Sequence, residues 1–285
     1  MQKKIPALML FATISVLAAH STYAQSGDAG LAGFVGELRD LRHPAITLDY
    51  LYGSSAAGDH ITYNAYQVSA ALTVFGGTHI WGSVPLRQQN GPLGSVSGIG
   101  DLTIVINQSL INLAGLDLSV DLGTKLATGS VTNGSLPQSY QNGTGSSDLL
   151  LGVDLVSSSI NLGVAYELAG GRSANELTRL KRGDDFIARA GYMHHGESLD
   201  LGGEVIGIWQ IQESSVLNPI TQAGDYINVA GSNGLALNAL FKARYNLGSM
   251  FSITGTLGIP LNKRDHNEDG LSRSLTASAG VALSF

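Results

Sequence analysis

The chain has 285 residues, 13% of them charged, a formal net charge of −6 and no cysteine. A soluble domain of average composition carries about 25% charged residues; this acidic, charge-poor, thiol-free chain excludes disulfide stabilisation and argues against a nucleic-acid partner. No segment after the first 24 residues approaches the roughly 18 to 20 apolar residues of a membrane helix, which leaves a soluble all-β protein or a membrane β-barrel, whose apolar residues are diluted by alternation.

The first residues carry Lys3 and Lys4, an apolar run from Ala7 to Ala19, and Thr22-Tyr23-Ala24. This is the pattern of a secretory signal peptide cleaved after Ala24. The division expected is a signal peptide at 1–24, an N-terminal segment at 25–43 and a barrel at 44–285. In the segment, Leu31, Phe34, Val35, Leu38 and Leu41 fall near helical spacing, and Pro44 ends the pattern. It reads as a lumen plug entering from the periplasmic end; a disordered periplasmic tail is the alternative.

From Pro44 onward apolar residues recur at every second position, the period of a strand with two different surroundings. In chain order these sets run through Ile46–Tyr52, Tyr66–Val74, Thr78–Arg87, Leu102–Ile106, Leu116–Leu122, Leu149–Leu155, Ile160–Leu168, Phe186–Tyr192, Leu199–Ile211, Leu235–Leu247, Phe251–Ile259 and Leu275–Phe285. Twelve strands follow. Short connections at 75–77, 112–115, 157–159, 195–198 and 248–250 alternate with long polar ones at 53–63, 88–98, 128–145, 170–183, 213–233 and 261–272. Short turns at one end and long loops at the other are the pattern of an outer-membrane barrel. The fold expected is all-β: a transmembrane up-and-down antiparallel β-barrel with both termini on the periplasmic side.

The residues between the apolar ones include Asp101, Asp117, Asp121, Lys125, Asp148, Asp154, Glu167, Arg189, Glu204, Lys242 and Arg244. A basic residue facing lipid at mid-depth costs roughly 2 to 4 kcal/mol, so this set is expected to line the interior. Two opposed pairs, Arg189 with Glu204 and Asp101 with Lys125, are expected from the turn lengths. They read as rivets of the lumen wall or as solute-selecting groups. Tyr50, Tyr52, Tyr66, Tyr166, Tyr192, Trp209, Tyr245 and Phe251 gather toward strand ends, as interfacial aromatics do.

Bacterial outer-membrane barrels resemble one another in a last strand that alternates and ends in Phe; Ser274 to Phe285 shares that form. The resemblance implies that Phe285 is an assembly signal and that the barrel-assembly machinery is a partner. Three further stretches are GIGDLTIVINQSL (98–110), LGTKLATGS (122–130) and NGTGSSDLLLGVDL (142–155). They resemble the outer-membrane proteins grouped as the "meta-pathway of phenol degradation" transporter family. Gly98, Gly100 and Asp101 match its Gly-x-Gly-Asp strand start. Lys125, Leu126, Thr128 and Gly129 match its Lys-Leu-Pro-Thr-Gly strand end, with Ala127 in place of Pro. Gly143, Thr144, Gly145, Ser146 and Asp148 match its Gly-Thr-Gly-x-x-Asp re-entry. The fourth strand has Asn107-Gln108 where that family has a basic residue. The resemblance implies an outer-membrane channel associated with uptake of aromatic or hydrophobic compounds, without catalysis.

Enzymatic readings find little purchase. His194 and His195 sit at a short turn, while His60 and His266 lie in loops beside Asp59 and Asp265 with no nucleophile motif. Asp265 to Gly270 is oxygen-rich but lacks calcium-loop spacing. No catalytic, metal or cofactor site is expected. The function expected is passive passage of small solutes, with outer-membrane lipid as surroundings; a closed barrel acting through its outer loops is the alternative.

Overall fold

A computed structural model of the protein describes residues 44–55, 60–221, 224–264, 266 and 273–285. The signal peptide, the 25–43 segment and, apart from His266, the Asp265–Gly270 stretch lie outside the described residues.

Alternating residues from Ala45 onward form β1 (Ala45–Ser55), β2 (Thr62–Phe75), β3 (Thr78–Gly91), β4 (Gly94–Ile99), β5 (Leu102–Leu113), β6 (Leu116–Leu126), β7 (Asp148–Val156), β8 (Ile160–Leu168), β9 (Asp185–His195) and β10 (Leu199–Gln210). A small hairpin, β11 (Ser215–Leu217) with β12 (Tyr226–Asn228), precedes β13 (Gly234–Asn246), β14 (Phe251–Asn262) and β15 (Arg273–Ser284). Each large strand pairs antiparallel with its sequence neighbour, and β1 pairs with β15 from Ala45↔Ser284 to Ser54↔Leu275. β4 and β5 pair in turn with the upper and lower parts of β3 and act as one interrupted strand. The described residues therefore close a twelve-stranded barrel. Closure leaves no unpaired edge along the wall, the condition for strands to cross a bilayer.

The short turns cluster at one end. Ala114 (φ 52°) and Gly115 (φ 81°) form the two-residue link between β5 and β6. Positive φ at both central residues gives the turn whose twist matches a hairpin. At the same end the Phe285 N–H donates to the Pro44 carbonyl at 3.0 Å, so the two described termini meet at the seam. The opposite end carries a crown of long loops. Two of these hold strands that the alternation does not mark, β4 after β3 and the β11–β12 hairpin.

Sidedness is as alternation dictates. Ile46, Leu48, Val68, Leu122, Leu151, Leu162, Leu201, Phe241 and Val281 are exposed on the outer wall. Asp49, Asp121, Asp154, Arg189, Glu204 and Asn238 are buried within. An outer wall of this size made of Leu, Val and Ile far exceeds the few hundred Å² of apolar patch that a soluble monomer exposes; lipid is its solvent.

Register differs from expectation at both proposed pairs. Arg189 stands opposite Ile206 and Glu204 opposite Gly191. His195 stays in the ladder opposite Asp200, so the turn is displaced toward Leu199. Lys125 stands opposite Thr103, not Asp101, because β5 and β6 run on to a two-residue turn, a shift of three, and a bulge between Ser109 and Ile111 takes one residue back. Both corrections are slips of two residues. An even slip preserves the face of every side chain, whereas a slip of one would have inverted it.

Candidate functional site

The barrel interior holds charge at two levels. Near the long-loop end Lys125 Nζ lies 2.8 Å from Asp148 Oδ2 and 2.5 Å from Glu167 Oε1. Arg182, from the loop between β8 and β9, places Nη2 2.6 Å from Glu167, 3.7 Å from Asp148 and 3.9 Å from Asp185. Arg264, just past β14, lies 3.8 Å from Asp185 and bonds to Gln210. Among the described residues three bases thus face three acids, and every one of these side chains is at most 5% exposed. Charges this buried are stable only when paired and hydrogen-bonded, and the Ser146 hydroxyl and Gly170 N–H each add a bond of 2.8 Å to Asp148.

At mid-barrel Arg189 reaches Asp154 at 2.7 Å and Glu204 at 3.6 Å. Arg189 and Glu204 thus still meet, diagonally instead of face to face. Lys242 bonds to Glu204, and Asn107 donates to Asp121 at 2.8 Å. Lower still, Ser109 donates to Asp117 at 2.5 Å. Beside the short-turn end opens a cavity of about 110 Å³, lined in part by Asp49, Ser69, Trp81, His195, Asp200, Lys242 and Arg244.

Asp101 lies between β4 and β5 and does not reach Lys125. It accepts from Gly129 N–H at 2.9 Å, Thr144 N–H at 2.6 Å and Thr144 Oγ1 at 2.9 Å. Gly129 and Gly143 meet so closely that a Cβ on either would strike the other's backbone. The Thr128 hydroxyl donates to the Gly100 carbonyl and accepts from Leu102 N–H. The three family-like stretches, far apart in sequence, thus converge on one junction at the base of the 127–147 loop. Asp101→Ala removes an ionic acceptor shared by three donors. It is expected to lower stability by at least about 2 kcal/mol and to open a new cleavage site within 127–147 in limited proteolysis. An unchanged digestion pattern contradicts the assignment.

From this junction the loop crosses the outer mouth. Its two single turns, Asn133–Ser135 and Gln138–Tyr140, carry Tyr140 into a cluster with Leu51, Ile61, Tyr63, Ala65 and Val96 at the loop ends of β1, β2 and β4. Gln89 Nε2 donates to the Gln141 carbonyl at 2.6 Å, and Arg87 Nη1 to the Asn142 carbonyl at 3.0 Å. Ser173 Oγ donates to Gln138 at 2.7 Å, and Asn175 to the Val131 carbonyl at 2.7 Å. Gln138, Gln141 and Asn142 are buried.

The aromatics divide. Tyr192, Tyr245, Phe251 and Phe285 lie outside at the short-turn end. Tyr52, Tyr166 and Trp209 lie toward the loops, where Tyr166 donates to Asp184 at 2.9 Å. Tyr50 and Tyr66 stand opposite each other, ring centroids 5.3 Å apart, with Tyr50 at the middle of β1. His195 pairs with Asp200 at 3.2 Å, while His60, His194 and His266 are exposed.

Sequence reading missed Arg182, Asp185, Arg264, Gln210, Asp49 and Trp81. Asp49 and Asp185 obey the same inward alternation and were findable by it. Arg182 and Arg264 lie outside the large strands, where no period marks a direction.

No protein-family model matches the chain, and no curated protein sequence does. In structure it is similar to an outer membrane channel from Pseudomonas putida F1, with TM-score 0.65, 13% identity and coverage of 85% of this chain and 96% of that one. It is also similar to the NanC porin, with TM-score 0.51, 10% identity and coverage of 85% and 100%. At such identities the likeness is one of fold: this chain has the closed antiparallel barrel of outer-membrane channels and porins.

Proposed function

We propose that the protein is an outer-membrane channel for passive passage of small solutes. The carrying observation is a closed, lipid-facing barrel whose interior carries charged groups at two levels, beside an apolar cluster that includes Trp81, Ile187, Ile208 and Leu240, and opens into a cavity at the short-turn end. Eight-stranded barrels are filled by side chains and those of 16 strands hold a water channel; twelve give a narrow lumen that side chains and loops control. The three motif stretches support aromatic or hydrophobic compounds as the solutes. In this reading the signal peptide exports the chain, Phe285 serves the barrel-assembly machinery, and residues 25–43 plug the periplasmic mouth. Exterior aromatics near both strand ends support an interfacial girdle.

In planar bilayers the protein is expected to show small discrete conductance steps, larger when residues 25–43 are deleted. Equal conductance refutes the plug. Silence of the full-length protein, of that deletion and of a loop-released variant refutes the channel.

A second reading, a closed barrel acting through its outer loops, is favoured by the filled outer end, where buried ion pairs and the seated 127–147 loop leave little space. Solute flux into liposomes separates the two, because a closed barrel passes nothing.

A further inference from the structure

The cavity at the short-turn end carries one acid without a paired base among the described residues. Asp49 is 7% exposed, and its Oδ2 has no hydrogen-bond partner among the described residues. It fits against the wall because Gly280 stands opposite; a Cβ there would fall on the carboxylate. In β15, β1 and β2 the single basic residue is Arg273, at the far, long-loop end of β15. The lysine and the arginine lining the cavity stand on β13, across from acids of β10. Lys242 bonds to Glu204, and Arg244 stands directly opposite Asp200 in the β10–β13 ladder.

A buried carboxylate lacking a countercharge is costly, and the cost is relieved by a cation that donates to it. Thr47 Oγ1 and Ser69 Oγ line the same cavity. A primary ammonium group offers three N–H donors and no acceptor, which suits one carboxylate flanked by two hydroxyls. Trp81, 1% exposed, adds an aromatic wall for the rest of such a solute. We infer that Asp49, Thr47, Ser69 and Trp81 form a binding site for small primary amines in their ammonium form, inside the inner vestibule.

The inference deepens the channel reading by naming a solute class, yet it is read by binding alone. A barrel that binds amine and conducts nothing refutes conduction only; one that conducts and does not bind refutes this site only. The chain has 2 tryptophans, and Trp209 is exposed on the outer wall, so Trp209→Phe leaves Trp81 as the reporter. In detergent, n-butylammonium chloride is expected to change Trp81 emission saturably, while n-butanol and butyrate are not. Asp49→Asn in the same background is expected to weaken binding by about tenfold or more, the scale of lost hydrogen bonds to a charge. An equal response to n-butanol, no saturation, or unchanged affinity in Asp49→Asn overturns the site. Should Asp49→Asn not fold, the amine-against-alcohol comparison on the parent decides by itself.

Discussion

Tyr140→Ala combined with Gln89→Ala is expected to release the 127–147 loop from the outer mouth and raise single-channel conductance several-fold. The loop is fastened at two places. Its base is clamped by Asp101, and its tip is held by the buried Tyr140 ring and the Gln89 bond to the Gln141 carbonyl. Truncating a buried aromatic side chain costs about 3 to 5 kcal/mol, and losing the Gln89 bond adds about 1 kcal/mol. That total rivals the ordering of a short segment, so the tip should swing free while the barrel wall stays intact. Asp101→Ala acts instead at the base and on stability. If the double substitution leaves conductance unchanged, the loop is not what narrows the mouth. Heat-modifiable migration in detergent gels reports that the barrel itself has survived.

Lys125→Met is expected to destabilise the barrel by about 3 to 5 kcal/mol, the range for breaking a buried ion pair from one side. The base sits between Asp148 and Glu167, both at most 1% exposed. Its removal leaves two carboxylates sharing Arg182. Adding Glu167→Gln should recover part of the loss, because one surplus negative charge is then gone. The coupling is measurable as a double-mutant cycle on urea unfolding midpoints. Strict additivity of the two substitutions would show that the groups do not act as one network.

The strands and their faces were legible because the bilayer and the lumen impose opposite chemistries on successive residues. Leu122, Asp121 and Val120 take outward, inward and outward places on β6 by parity alone. The same parity placed Lys125, Asp148 and Glu167 inside before any contact was known. Register was less legible, because the shortened turn at Ala114–Gly115, the bulge near Leu110 and the displaced turn after His195 leave no compositional mark. Both errors were even, so they changed which charges meet without changing where they point. Arg189 and Glu204 meet as diagonal neighbours, while Asp101 found loop amides in place of Lys125.

Alternation by itself determined the wall, its greasy exterior and the inward place of its charges, since a period of two is a local property that every strand repeats. Tertiary structure alone decided that three distant motif stretches knot together at one loop base. It also brought Arg182 and Arg264 from outside the strands to complete the ion cluster and left Asp49 without a paired base among the described residues. Those outcomes depend on which strands lie side by side around a closed barrel and on how loops fold back over it. Such distances arise from closure and strand stagger, and no short window of residues encodes them.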